Sequence, residues 1–567
     1  MNQTRLFLIF AWLMVATLLW MEWGKEKAAP ATSPAVTAPA DSSVPAATGA
    51  VPTAPSAPAT APAAPSMPMA SATPTVGSAP VTVTTDVLRV KLDGGMLHQV
   101  DLLKYPSLAA GNSAPVRLLA DDAANYFVAQ TGWVSNSGAA PSHDGAFAPE
   151  GPAREFELAA GGKELVVPFV WTGANGVTIH RGYVFQRGSY VVQVRDEVSN
   201  AGAAPWQGYV YRQLSRVPRA IASSGPMSAE KYSFQGAAWY STTDKYEKRK
   251  YDDFADEPLD KQVTGGWIGM LQHHFFAAWI PAANDASTFS LATPQSGSTA
   301  QYLIRELGPG VNVAPGTKAQ TSARLWVGPK LVKQIEAQNV PGLDRAVDFS
   351  RYSVMAALAN GLFWVLDKLH GLLGNWGWAI VGLVVIIKLL MYPLSAAQYK
   401  SMAKMRKFQP RIKQLQERYG DDKQKMQMAM MELYKKEKIN PVGGCFPILL
   451  QMPVFLALYW MLSESVELRH AHWIGWITDL TARDPYFILP VINVAVMWFT
   501  QKLTPQAPGM DPMQQKMMQY MPLVFGVLFA FMPAGLVLYW ITNGGLGLLQ
   551  QWWMTKRFAE TPVPAKA

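Results

Sequence analysis

The chain is poor in charge and almost without cysteine. Only 16% of its 567 residues are Asp, Glu, Lys or Arg, against about a quarter in ordinary soluble domains. A chain so poor in charge and 49% hydrophobic reads as a membrane protein. The single cysteine, Cys445, excludes a disulfide framework and a cysteine-based zinc site within one chain. GxxxxGK(S/T), a GxGxxG after a strand, HExxH and GxSxG are all missing, so the sequence writes no nucleotide loop, dinucleotide fold, zincin helix or hydrolase elbow. The net charge of +9 is modest for the length. His273 and His274 lie in the apolar HHFFAAWI. As strand neighbours they would face opposite sides of a sheet, which makes them a poor metal clamp and points to structural histidines. No cofactor and no metal are expected.

What is present divides the chain by texture. LFLIFAWLMVATLLW, residues 6–20, is an uncharged apolar segment near the lower limit for a membrane span. The small residues after it suit a cleaved signal peptide. Its length and the pair Trp20 and Trp23 favour instead an uncleaved signal anchor over 1–27. Residues 28–80 hold 12 prolines, one charge at Asp41 and no aromatic side chain. Such a segment buries too little to offset its ordering entropy and reads as a disordered, partly polyproline-like tether. Over 81–335, stretches such as VTVTTDVLRVKLDGG and GYVFQRGSYVVQVRDEVSN are rich in β-branched and aromatic residues and punctuated by Gly, Asn and Asp. They predict an all-β sandwich with a substantial core.

Beyond 350 the chain reads as a membrane domain. An interfacial amphipathic helix is expected at 350–373, with spans at 374–394, 443–462, 486–500, 518–533 and 534–555. With 1–27 these make six transmembrane helices. Several are shorter than the roughly 20 residues a standard bilayer asks for, which implies local thinning of the lipid. Segment 395–442 carries 12 Lys or Arg against 5 acids, whereas 463–485 carries two basic and four acidic residues. The positive-inside rule then places 395–442, the loop 501–517, the tail 556–567 and both termini in the cytoplasm, and the β domain with 463–485 outside. The basic loop reads as a helical hairpin, with Gly420 ending its first helix and Asp421 or Asp422 capping its second. It carries Met402, Met405, Met426, Met428, Met430 and Met431. These either form an adaptable surface for substrate, with Met402, Met405, Met426 and Met430 as capture residues, or pack the two helices together. The basic side chains suit lipid headgroups or ribosomal RNA, or serve solvation and topology alone.

Within GLVVIIKLLMYPL, residues 382–394, stands Lys388, the only charge in the apolar run 6–20 or in any of the five later spans. A central lysine is penalised by about 2.5–3.5 kcal/mol on insertion scales. Either the side chain snorkels towards a surface about 9 Å of helix rise away, or the ammonium faces a hydrated cavity in the bundle. Gln451, Thr500, Gln501, Tyr539, Thr542 and Asn543 lie in or at the ends of other apolar stretches. They are either interhelical hydrogen-bonding groups or, with the cation, the lining of a groove.

The segments GNWGWAIVGLVVIIKLLMYPLSAAQYKSMAKMRKFQP, YGDDKQKMQMAMMELYKKEKINPVGGCFPILLQMPVFLALYWML, DPMQQKMMQYMP and PAGLVLYWITN closely resemble the YidC membrane protein insertases of Gram-negative bacteria. TDVLRVKLDGG, DKYEKRKYDDFAD, GGWIGMLQHHFFAAWIP and LWVGP resemble that family's periplasmic domain. The resemblance implies an inner-membrane insertase and chaperone, not an enzyme, related to the mitochondrial and chloroplast insertases. It implies a five-helix core and a hydrophilic groove closed towards the periplasm. Lys388 falls where the family usually carries arginine, so the charge transfers and the planar fork does not. The implied partners are nascent and small inner-membrane proteins, the Sec translocon, the ribosome and membrane lipids, with no DNA. On the residues alone, a small-solute or anion transporter and a membrane-anchored carbohydrate-binding protein stay open.

Overall fold

The computed structural model describes residues 80–109, 113–219, 230, 233–296, 299–347, 349, 353–398, 411, 414–415, 417–419, 422–436, 446–503 and 512–559. The expected signal anchor and tether lie outside the described residues, as do Met402, Met405, Gly420 and Asp421.

Alternation of burial builds the β domain. In Leu88–Leu92 the leucines and Val90 are buried while Arg89 and Lys91 face water, and in Val191–Asn200 every second residue points inward. A ten-stranded sheet runs Asp260–Thr264, Ala286–Ala292, Tyr302–Val313, Trp206–Arg216, Phe127–Ser135, Met96–Pro106, Leu88–Leu92, Val81–Thr84 and Glu155–Glu157, with Pro115–Leu119 paired off Met96–Pro106. A nine-stranded sheet runs Lys245–Lys250, Gly236–Ser241, Trp267–Leu271, Phe275–Ile280, Lys318–Pro329, Val191–Asn200, Val177–Gln186, Glu164–Thr172 and Ala148–Pro149. The two pack as the expected sandwich. Charge enters this core at Asp196, whose carboxylate accepts from Arg181 Nε and Nη2 and, across the sheets, from Trp133 Nε1, each at 2.7 Å. Arg181 Nη1 also donates to the carbonyls of Gly94 and Thr131. A buried pair is tolerated when its remaining hydrogen-bonding groups are satisfied in this way.

His273 and His274 correct the expectation of opposite faces. They sit in the turn between Trp267–Leu271 and Phe275–Ile280, where strand alternation is interrupted, and their rings stack with centroids 3.7 Å apart. Burial pushes His273 down to about 4 and His274 well below the usual histidine range.

The helical part comprises α1 (Val332–Glu336), α2 (Ser353–Leu373), α3 (Trp376–Leu390), α4 (Tyr392–Gln398), α5 (Lys423–Lys436), α6 (Phe446–Glu464), α7 (Ile488–Leu503), α8 (Pro512–Phe529) and α9 (Ala534–Ala559). Helix α2 buries Ala356, Ala359, Phe363 and Leu366 where it packs against α3 and α6, and it leaves Val354, Trp364 and Leu372 exposed as a second apolar face. Asn375 caps α3, its Oδ1 accepting from Trp378 N at 3.1 Å. Asp422 caps α5 as expected, accepting from Lys425 N at 3.0 Å.

The expected span 374–394 is not one straight helix. Pro393 has no N–H to donate to Leu389, and it stands in the first turn of α4, where that loss costs least. The chain bends by 63° between α3 and α4. Among the described residues no single helix is long and apolar enough to cross a membrane by length and composition, though α3 and α4 together are.

Segment 463–485 seats the helices on the sandwich. Arg469 donates to the carbonyls of Pro106 at 2.8 Å and Ser107 at 3.1 Å, and His273 Nε2 donates to the Ser463 carbonyl at 2.8 Å. Lys333 pairs with Asp367 of α2 at 2.8 Å. One apolar core runs from Val81 of the sandwich through Phe363 of α2 to Tyr539 of α9. At this seam Glu467 Oε2 is buried without a hydrogen-bond partner, and burial pushes its carboxyl up to about 7.

Asp196→Ala leaves Arg181 buried and uncompensated. A loss of about 3–5 kcal/mol is expected, read from the denaturant midpoint of the sandwich in the full chain. Glu467 behaves differently. Its raised pKa gives a stabilising contribution fully present below about pH 4.5 and lost as pH rises through about 7. The advantage of Glu467→Gln over wild type is therefore expected to grow by about 2.5 kcal/mol between pH 5 and pH 8 in denaturant titrations.

Candidate functional site

Helix α9 organises the polar residues of the bundle. Tyr539, Asn543 and Gly547 recur at intervals of four and so share one stripe. Gln451 of α6 donates Nε2 to Asn543 Oδ1 at 3.4 Å and also meets the Tyr539 hydroxyl. One turn further along α9, a Cβ added at Gly547 would lie 3.5 Å from Lys388 Nζ. The ammonium of α3 thus rests against the member of the stripe that has no side chain, about 6 Å of rise from the Gln451–Asn543 pair.

Lys388 is half-buried in the last turn of α3, where the partial negative charge of a helix C-terminus favours a cation. The bend creates that terminus. A straight helix to 394 would have left the lysine in mid-helix with every backbone carbonyl already bonded.

Small residues bring the neighbouring helices close. The starts of α7 and α9 are tied where Arg483 pairs with Pro533 and Ala534 N donates to the Ala482 carbonyl at 2.7 Å. From there the two helices run side by side, and a Cβ at Gly544 would lie 2.7 Å from Val496 Cγ1. Gly526 of α8 is likewise occupied by Val494 of α7. Such positions let backbones approach. Thr500, one turn beyond Val496, is thereby level with Gly547. Its hydroxyl donates to the Val496 carbonyl and that of Thr542 to the Leu538 carbonyl, each at 2.8 Å, so each hydroxyl hydrogen is satisfied within its own helix.

The structure therefore brings Lys388, Gln451, Tyr539 and Asn543 together along α9, sets Thr500 on the adjoining helix, and turns the Thr542 hydrogen back to the backbone. Trp540 lies between Phe455 of α6 and Phe529 of α8, at 5.0 and 5.3 Å, joining those helices near the start of α9. Along α8, Tyr520, Leu523, Val524 and Val527 are exposed. In α5, Met430 is buried, Met426 half-buried, and Met428 and Met431 exposed. Of the capture residues expected, Met430 thus faces inward, and the free methionine surface belongs to Met428 and Met431. Gly544 and Gly547 were the residues missed; their signal was the GGLG inside an apolar run.

Residues 368–561 match the family model described as 60Kd inner membrane protein, and residues 80–365 match that of the YidC periplasmic domain. The membrane protein insertase YidC of Stenotrophomonas maltophilia is 61% identical over 100% of this chain and 98% of its own length. That of Xanthomonas campestris is 59% identical over 99% of this chain and 98% of its own. The chain belongs to the YidC family of membrane protein insertases. Its sandwich is the YidC periplasmic domain, and α3 to α9 fall in the part matched to the inner membrane protein. A solved structure of an active YidC insertase with its first transmembrane domain resolved aligns with 84% of this chain and 92% of its own, at 18% identity and a TM-score of 0.37. A galactose mutarotase-like protein from Lactobacillus casei aligns with 44% of this chain and 99% of its own, at 8% identity and a TM-score of 0.29.

The two glycines separate packing from space. Gly544→Ala forces Val496 to move and is expected to cost about 1–3 kcal/mol. Gly547→Ala meets only ordinary contact and is expected to be neutral or stabilising by up to about 1 kcal/mol. Thermal unfolding of the detergent-solubilised chain checks both.

Proposed function

We propose that this protein inserts nascent and small inner-membrane proteins and assists their folding and assembly, alone or with the Sec translocon, through a hydrated groove whose cation is Lys388. The observation that carries this reading is the placing of the ammonium against Gly547, one turn from the Gln451–Asn543 pair and on the stripe of Tyr539. Thr500 and Thr542 complete the groove. The accompanying topology has six spans, both termini and the basic hairpin in the cytoplasm, and the sandwich in the periplasm.

A substrate with one span and a polar external tail must carry that tail across hydrocarbon, where a charge is costly. A polar recess ending part-way across shortens the remaining path. Lys388 offsets the desolvation of an acidic residue in the tail while it is in transit. The substrate's apolar helix leaves along α6 and α8, whose exposed Met452, Leu456, Leu523 and Val527 offer it a matching surface. Burial of that helix in lipid supplies the driving force, so no bond is broken and no cofactor is needed. The hairpin, through its exposed methionines, makes the first contact, and its basic residues approach the ribosome or lipid headgroups.

Insertion of a single-span substrate with an acidic external tail into proteoliposomes tests this. Lys388→Arg is expected to insert as wild type does. Lys388→Ala and Lys388→Glu are expected to lose at least about tenfold in rate, the effect of leaving a buried acidic group uncompensated. Equal insertion by all four proteins at matched levels sinks the role of the cation.

A further inference from the structure

Between the sandwich and the helices lies a second concave site, a cavity of about 1040 Å³ lined by neither Lys388 nor the α9 stripe. Arg117, Arg216, Arg219, Arg469 and Arg483 line it, against three carboxylates, Asp122, Glu230 and Asp479. Three of the arginines are occupied. Arg117 pairs with Asp101 at 2.8 Å, Arg216 donates to Gln272 and lies over the Phe127 ring, and Arg469 donates to the carbonyls of Pro106 and Ser107. Two of the acids are occupied as well, Asp479 by the backbone and hydroxyl of Thr481 and Asp122 by Asn125. Arg219 and Arg483 are exposed and make no ion pair among the described residues. The cavity thus holds an excess of positive charge whose two free members are guanidiniums, the group that grips phosphate oxygens in pairs.

The cavity wall specifies the rest of the ligand. Phe531 and Pro533 belong to the turn joining α8 to α9, and Arg483 precedes α7, so the floor is made by the ends of apolar helices. Leu108 and Phe531, both lining the cavity, are 65% and 37% exposed. Cations beside exposed apolar side chains at that level fit an amphiphile better than a free anion. We propose that this cavity binds the headgroup phosphate of an anionic phospholipid of the outer leaflet, with Arg219 and Arg483 on the phosphate and Leu108 and Phe531 against the acyl chains. The leaflet assignment rests on the topology proposed above; the chemistry of the site does not.

The purified full chain in detergent is titrated with short-chain phosphatidylglycerol, short-chain phosphatidylcholine and inorganic phosphate, with bound lipid counted by native mass spectrometry. Wild type is expected to prefer phosphatidylglycerol over phosphatidylcholine by about tenfold. Arg219→Gln with Arg483→Gln is expected to abolish that preference, the double lysine variant to keep part of it, and Arg195→Gln, an exposed arginine elsewhere, to keep all of it. An unchanged preference in the double glutamine variant overturns the site. Displacement of phosphatidylglycerol by an equal concentration of inorganic phosphate overturns the lipid in favour of a free anion. Displacement by an equal concentration of an acidic peptide overturns it in favour of a translocated tail. Insertion assayed on the same variants is expected to stay at the wild-type rate, so failure here is distinct from failure of the Lys388 series.

Discussion

An ammonium group held inside an apolar bundle needs polar surroundings, and the helices around Lys388 are arranged to provide them. Three features meet at that point, each by a different physical route. The bend after Leu390 ends α3 early and offers the cation the negative end of a helix. Gly547 leaves a hollow in α9 for it. Gln451 and Asn543 continue the polar line one turn away. Without the bend the lysine would stand in mid-helix, away from that negative end. The close contacts at Gly526 and Gly544 belong to the same economy of space, since the backbones that frame the site must approach within a side chain's width.

Much of this was legible in the sequence. Strand alternation in LRVKL and VVQVRDEVSN marked the sandwich, and the pair Asp421 and Asp422 announced the start of α5 by the ordinary preference of a carboxylate for unbonded N–H groups. Lys388, Gln451 and Asn543 stood out because polar groups in apolar runs are expensive and rarely idle. Other features left weaker marks. Pro393 was visible, but whether a proline kinks a helix or starts a new one depends on tertiary packing. The stacking of His273 on His274 depends on a turn that interrupts strand alternation without any glycine or proline at the histidines themselves. Met430 and Met428 are two residues apart and chemically alike, so only the packed structure says which is inward.

The arginine cavity was beyond local reading altogether. Its five arginines come from segments as distant as Arg117 and Arg483, and the two free ones, Arg219 and Arg483, are each an ordinary exposed residue in its own segment. Only the seating of 463–485 on the sandwich gathers them. The same seating explains why Arg469, rather than binding a ligand, spends its donors on the Pro106 and Ser107 carbonyls. It fixes the loop that brings Arg483 to the rim.

That seam also makes the boundaries of the chain in space differ from its boundaries in sequence. The apolar core passes without interruption from Ile335, Leu343 and Val347 into Phe363 and Leu366 of α2, and the polar half of the contact arrives from 463–485. A chimera that exchanged the sandwich between relatives at residue 335 would therefore cut through an interior and pair one partner's surface with the other's loop. The unit of exchange is the sandwich together with the later loop.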